Sequence, residues 1–573
     1  MNVPRLLRLM SIVFIVSISS LGLAQTPQPA DVIITNGKFI TVDPAKPAAE
    51  CVAIKGDILI AVGTNAEILR LKGLATQVLD LKGALAVPGL IEGHGHFMGL
   101  GNAKLNLDLM QIKNWDEAIE MVKEAAAKAK PGEWILGRGW HQEKWNKTPM
   151  PNVEGFPTYK AMSKVSPDNP VYLTHASGHA SFANAKAMQL AGITKATKSP
   201  EGGEILKDVR GNPIGIFRET ASELIGHALG LSRSMRTKTE SDAYDRKIVQ
   251  AAVQECLSKG ITSFYDAGVS YSTVDFYKKL VDEKQLGIRL WVMLGENNAQ
   301  LAKKMDDYRI INYGDKRLTV RAIKRLIDGA LGSRGAWLLE PYADLSTSTG
   351  LNTDPVEEMK ETARLAITHG FQLCTHAIGD RGNRETLNIY EDAFKANPDK
   401  TNLRWRIEHA QHINATDIPR FGKLGVIAAM QGIHCTSDAP YVLARLGSQR
   451  AEEGAYVWQK LMKSGAIICN GTDTPVEAED PIACFYASVS RKLKDGSVFY
   501  GSQRMTREEA LKSYTINAAY TGFDENIKGS LTPGKLADIT VLSKDIMTIP
   551  EDEIPTTKVL YTIVGGKVMF RNK

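Results

Sequence analysis

The chain has 573 residues, 43% of them hydrophobic and 23% charged, which excludes the disordered, collagen-like and fibrous classes. Its 70 Lys+Arg against 64 Asp+Glu leave a formal charge of +6 with no long basic run, so nucleic-acid binding has no support. The length allows three or four units at ~150 residues each, or fewer if one is a large α/β barrel.

Arg5 and Arg8 precede an apolar stretch, 9–23, and Gly22-Leu23-Ala24 supplies the small residues that a signal peptidase reads. The expectation is a secretory signal peptide, 1–24, cleaved after Ala24, and a periplasmic or secreted protein. An uncleaved anchor is the alternative. The stretch falls short of the ~20 residues of a spanning helix, and nothing later is apolar enough, so no stable membrane span is expected after leader removal. Six cysteines, Cys51, Cys256, Cys374, Cys435, Cys469 and Cys484, are far apart with no C-x-x-C pair. They read as small buried hydrophobes rather than as a disulfide framework.

Residues 31–86 form a β unit. Asn36-Gly37 between the β-prone runs 32–35 and 39–42 signals a type I′ hairpin, and Gly56-Asp57 separates a second pair. At the other end, 521–573, three strand-like runs include a Gly565-Gly566 turn. The expectation is one β domain built from both termini.

Residues 87–520 alternate strands and helices. Residues 116–130 read as an amphipathic helix with Ile119, Val122 and Ala126 on one face. Strand-like runs at 85–91, 261–265, 290–294, 318–327, 371–374, 403–407, 426–429 and 466–469 number eight, which fits a (β/α)8 barrel. A doubly wound sheet is the runner-up. The gap between the first two runs calls for an insertion over about 97–250.

Metal-competent groups fall at the ends of these runs. His94-Gly95-His96 follows the first; at i and i+2 on an extended chain both imidazoles point to one side and suit a Zn-type ion. His376, His409 and Asp473 close three later runs. Each alone has a bland reading, but four strand ends with such groups point to a site at a barrel's C-terminal face. Lys324 lies within 318–327, where alternation groups Ala322, Lys324, Leu326 and Asp328 without deciding which face is inward. Beside metal it would be neutral and open to carboxylation; otherwise it is a barrel-wall salt bridge.

Val87-Pro88-Gly89-Leu90-Ile91-Glu92-Gly93-His94-Gly95-His96, Thr375-His376-Ala377-Ile378-Gly379-Asp380, Ile407-Glu408-His409-Ala410-Gln411 and Gly471-Thr472-Asp473-Thr474-Pro475 resemble the amidohydrolase superfamily. The likeness is to its YtcJ-like branch (amidohydrolase family 3), which includes N-substituted formamide deformylases. Residues 324–334 and 534–538 resemble that branch too. The resemblance implies a TIM-like (β/α)8 hydrolase with a composite β-sandwich domain. It implies a metal set of His94, His96, Lys324 (carboxylated in the fullest pattern), His376, His409 and Asp473, holding one or two divalent ions, zinc first. Metal-activated water would attack an amide carbonyl, with Asp473 as base and then acid.

Second-rank candidates are His179 and Asn184 for substrate, His434 as an oxyanion donor, and Trp140, His141 and Trp145 at the pocket mouth, each as readily structural. Arg218-Glu219 and Ser333-Arg334 read as salt bridges first. His227, His369 and His412 read as ordinary helix histidines. The functional expectation is an exported hydrolase of a small-molecule amide, N-formyl or N-acyl amine. A cyclic-amide or dipeptide hydrolase and a non-catalytic regulatory or binding relative are the alternatives. A homodimer is a base-rate expectation.

Overall fold

The computed structural model describes residues 28–142, 145–175, 180–200, 203–332 and 334–572. The expected leader, His179 and Ser333 lie outside the described residues, as does the side chain of Glu219.

Eight parallel strands make a nearly closed barrel in chain order: β1 (Leu90–Gly95), β2 (Ile261–Val269), β3 (Arg289–Leu294), β4 (Leu318–Leu326), β5 (Gln372–Ala377), β6 (Arg406–His409), β7 (Ile427–Gln431) and β8 (Ile468–Gly471). Alternation sorts the side chains. Tyr265, Ala267, Trp291, Met293, Ala322, Cys374, Ala429 and Cys469 fill the interior. Phe264, Val292, Ile323, Leu373 and Ile407 face outward, into the core shared with the surrounding helices.

The expected run 85–91 is divided. Leu85–Pro88 pairs antiparallel with Ile539–Leu542 in a terminal sheet, and β1 starts at Leu90. Gly89 makes the break, because a Cβ there would sit 2.3 Å from Thr262 Oγ1. Glycines also bring β1 and β8 together. A Cβ on Gly93 would lie 2.3 Å from Asn470 O, and one on Gly471 would lie 2.4 Å from Glu92 Oε1. The seam is bridged instead by Thr472 N–H to Glu92 Oε1 (2.6 Å) and Asp473 N–H to His94 O (2.9 Å). Closing the seam thus fixes both the His-x-His segment and Asp473.

Two sheets at the termini enclose Ile34, Phe39, Val52, Ile54, Ile539, Val541 and Ile563. Asn36-Gly37 is not a hairpin. Val32–Thr35 pairs with Cys51–Lys55 and Gln77–Asp80, whereas Lys38–Ile40 pairs with Ala48–Ala49 and Leu85–Pro88. Asn36, at φ 52°, turns the chain from one sheet to the other. Gly565-Gly566 does close a hairpin, with both residues at positive φ. A buried Arg289–Asp538 ion pair, Nε to Oδ2 2.7 Å, ties this unit to β3.

Between β1 and β2 a six-stranded mixed sheet has its own core of Trp115, Val122, Trp140, Leu173, Phe182 and Ile216. Its helix Trp115–Ala126 is capped by Asn114, which accepts from Glu117 N–H. All six cysteines are buried and free, and among the described residues no helix is long and apolar enough to cross a membrane.

Candidate metal centre

Each barrel strand carries its inward face to the C-terminal rim, and the polar residues gather there. His94 is 1% exposed, and its Nδ1–H donates to the Glu408 carboxylate. His96 Nδ1–H donates to Ala267 O at 3.0 Å, and His409 Nδ1–H to Gln431 Oε1 at 2.8 Å. These oxygens only accept, so the protons lie on Nδ1 and each Nε2 presents a lone pair.

Asp473 Oδ1 faces His96 Nε2 at 3.3 Å and His94 Nε2 at 3.6 Å. Three acceptors confronting one another repel until a cation joins them. Ligand atoms of His94, His96 and Asp473 all lie within 4.8 Å of one another, and so do those of His409, His434 and Asp473. Asp473 Oδ1 and His376 Nε2 are buried without a hydrogen-bond partner. The residues therefore fit a divalent ion held by nitrogen and oxygen. Asp473 (φ 57°) and His409 (φ 73°) occupy the left-handed region. That costs of order 1–3 kcal/mol each and persists only where the surroundings enforce it.

Burial lowers His94 to about 4 and His376 to about 3, the Lys324 charge acting in the same direction, and it holds His409 well below its ordinary value. All three are neutral, as metal ligands must be. Asp473 is the one carboxylate of the cluster, and a cation held among these ligands would keep it ionised.

Lys324 shares the inward face with Ala322 and is 6% exposed. Its Nζ lies 3.2 Å from His94 Nε2, and burial lowers its pKa. Among the described residues it has no carboxylate at ion-pair distance, so the barrel-wall salt bridge is not formed. His376 belongs to neither tight cluster. Its Nε2 is 3.6 Å from Asp328 Oδ1, and its ring centroid 4.5 Å from that of His409. His434 differs from the other imidazoles. Gln411 Nε2 donates to its Nδ1 at 3.0 Å, so its Nε2 carries the hydrogen and is left unpartnered. That atom can donate to substrate.

Sequence reasoning missed the residues that hold these groups. Arg406 clasps Glu408 with two 2.7 Å bonds, and Glu408 in turn orients His94. Burial would raise the Glu408 carboxyl, but the Arg406 charge brings it down to about 2. Asp328 accepts from the backbone N–H groups of Trp337, Ile378 and Gly379, pinning the β4 and β5 ends together. The signal was alternation: Arg406 and Glu408 share one strand face, as do Lys324 and Asp328.

His96, Lys324, His376, His409, His434 and Asp473 border a cavity of about 780 Å³. Four candidates from the insertion are not in its lining. Asn184, 0% exposed, caps helix Ala185–Leu190. It accepts from Val171 and Ala187 N–H and donates to Ser166 and Asn169. Trp140, also 0% exposed, donates to Leu173 O within the insertion core. The His141 ring packs at 4.5 Å against His175, and Trp145 packs against Trp115. Asn184 and Trp140 thus spend their polar groups within the insertion itself. Arg218 pairs with Glu154 and Glu204, Arg334 with Asp344, and His369 with Asp306. His227 is exposed on helix Ser222–Ser234. His412 is not a helix residue; it follows β6, 2% exposed.

A profile described as the Amidohydrolase family matches residues 77–570. The chain belongs to the amidohydrolase family. It is 32% identical to Protein LONG AFTER FAR-RED 3 of Arabidopsis thaliana, over 94% of this chain and 92% of that one. It is 26% identical to the N-substituted formamide deformylase of Arthrobacter pascens, over 95% and 99%. A crystal structure of an uncharacterized metal-dependent hydrolase from Pyrococcus furiosus superposes with TM-score 0.73 at 25% identity, covering 90% of this chain and all of that one. The family is one of hydrolases, and the barrel of this member carries the acceptor cluster of a metal-dependent one.

Proposed function

We propose that the protein is an exported metal-dependent amidohydrolase that cleaves non-peptide C–N bonds in a small amide, N-formyl or N-acyl amine. The observation that carries this reading is Asp473 Oδ1 confronting the Nε2 lone pairs of His94 and His96 beside the cavity. The likeness to an N-substituted formamide deformylase over nearly the whole chain supports the bond type. The 1–24 segment supports export.

A divalent ion held by His94, His96, His409 and Asp473, zinc by ligand type, would supply Lewis acidity: a lowered pKa for water and a polarised carbonyl. Lys324 in carboxylated form would add an anionic oxygen and permit a second ion. Asp473 accepts the proton of the attacking water and passes it to the leaving nitrogen. The C–N bond breaks to give a carboxylic acid and an amine. His434 Nε2–H donates to the carbonyl oxygen as charge develops there. Glu408 and Arg406 fix the His94 tautomer.

The test is a screen of N-formyl and N-acyl amines with the metal-loaded protein, following amine release. Turnover that is lost in Asp473→Asn supports the assignment. Equal turnover in that variant would overturn the role of Asp473, and no turnover across the screen would remove the C–N reading.

A further inference from the structure

The cavity wall above the imidazoles is acidic, although the chain as a whole carries +6. Its lining includes Glu296, Asp354, Glu358, Asp438 and Glu477, against Lys324 and Arg325. None of these five carboxylates has an ion-pair partner among the described residues. The partners recorded for four of them are neutral donors. Glu296 accepts from Tyr271 N–H, Asp354 from Leu326 N–H, Glu358 from Asn298 Nδ2 and Asp438 from Tyr456 O–H. Arg325 likewise spends its guanidinium on Thr362 Oγ1, Asn298 Oδ1 and Lys324 O, all neutral. The Arg325 charge still acts on Asp354 and Glu358 through space, which leaves Asp438 and Glu477 for something that enters. A cleft lined by one sign of charge between low-dielectric walls concentrates the opposite charge.

Helix Gly432–Leu446 places that charge relative to the chemistry. His434, Asp438 and Tyr441, at i, i+4 and i+7, lie on one helix face, and all three line the cavity. His434 is 6% exposed, with Nε2 unpartnered, which marks a polar atom of a ligand at the floor. Asp438 stands one helical turn away, a Cβ separation of about 6 Å. Glu477, four residues past Asp473, joins it in the lining, and Tyr441 adds an aromatic ring of the kind that attracts cations.

We infer that the substrate is a cation: an amide whose acyl or amine part carries an ammonium group, held by Asp438 and Glu477. This rests on the hydrolase reading for the amide, and the charge preference can be read without turnover.

The experiment is calorimetric binding of choline and of its neutral isostere, 3,3-dimethylbutan-1-ol, to the metal-loaded full chain. Choline is expected to bind about tenfold more tightly or better, a difference of about 1.4 kcal/mol. The preference should shrink with added salt and vanish in Asp438→Asn/Glu477→Gln. If the double variant does not fold, Glu477→Gln alone, at a half-buried position, should cut the preference severalfold. Equal binding of the two probes, no measurable choline binding at millimolar concentration, or a preference that survives the substitutions would overturn the inference. Choline preference without amide turnover would leave the cation site standing and remove the hydrolase reading. Turnover of neutral amides without choline preference would do the reverse.

Discussion

The barrel rim and the insertion between β1 and β2 both offer histidines, tryptophans and amide side chains, yet only the rim leaves acceptors facing one another. In the insertion, Asn184 meets Val171, Ala187, Ser166 and Asn169 through both its oxygen and its nitrogen, and Trp140 reaches Leu173 O. At the rim, Asp473 Oδ1, His376 Nε2 and His434 Nε2 are buried with no partner. A buried polar atom without a partner costs about 1–3 kcal/mol, so a fold that keeps several in one cavity has a ligand to satisfy them. Residue type does not separate the two regions. The insertion also buries unpartnered groups, the indole N–H of Trp115, Trp134 and Trp145, but these are single donors; what separates the rim is that its acceptors face one another.

The largest effect that would sharpen this contrast is expected from Asp473→Asn. It removes the base while keeping the volume, so kcat should fall by about 10³-fold with little change in melting temperature. A variant that retains near-native kcat would place Asp473 with the satisfied residues. Next comes Glu408→Ala, which strips the partner from buried Arg406 and the orienting acceptor from His94. Breaking a buried pair costs about 3–5 kcal/mol, and loss of an orienting acceptor weakens metal binding about 10–100-fold. Thermal melts and metal titration would show both; an unchanged metal affinity would break the link to His94.

Asn184→Ala tests the other region. It should lower stability by about 1–3 kcal/mol through the lost cap and the donors left bare, while the folded fraction keeps its kcat. A fall in kcat at unchanged stability would return Asn184 to the substrate site.

The smallest effect is graded with pH. His94 at about 4 and His376 at about 3 lie below the unfolded value of about 6.5, so between these limits the unfolded chain binds more protons. Stability of the metal-free protein is then fully present above about 6.5 and declines as pH falls toward 4, by at most about 1.4 kcal/mol per pH unit for each proton. Urea melts between pH 7 and 4.5 would show it, and a flat profile would contradict the buried neutral imidazoles.

Much of this architecture was legible in the sequence, for reasons that particular residues make clear. Runs such as 290–294 are apolar on both faces, as strands buried between a barrel interior and its helices must be. The expected ends of β5 to β8 came two or three residues early. The last residues of those strands, such as His376, His409 and Gly471, are polar or small and read as loop, while the backbone ladder continues through them. The Asn36-Gly37 turn misled because positive φ serves a change of sheet as well as a hairpin. The metal-competent residues were legible because each ends a separate strand. The inward face of Lys324 was not, since β4 is buried on both sides until the barrel closes. Glu408 and Arg406 went unseen because a charged pair inside a barrel has the local pattern of an exposed one.

The most direct test of the central claim is to strip metal from the purified protein, reload it stepwise with zinc, and follow bound metal and release of amine from an N-formylated amine together. The account predicts that activity falls to background on stripping and returns in proportion to metal bound. Hydrolysis that persists in the stripped protein, or a wild-type chain that takes up no metal, would contradict it.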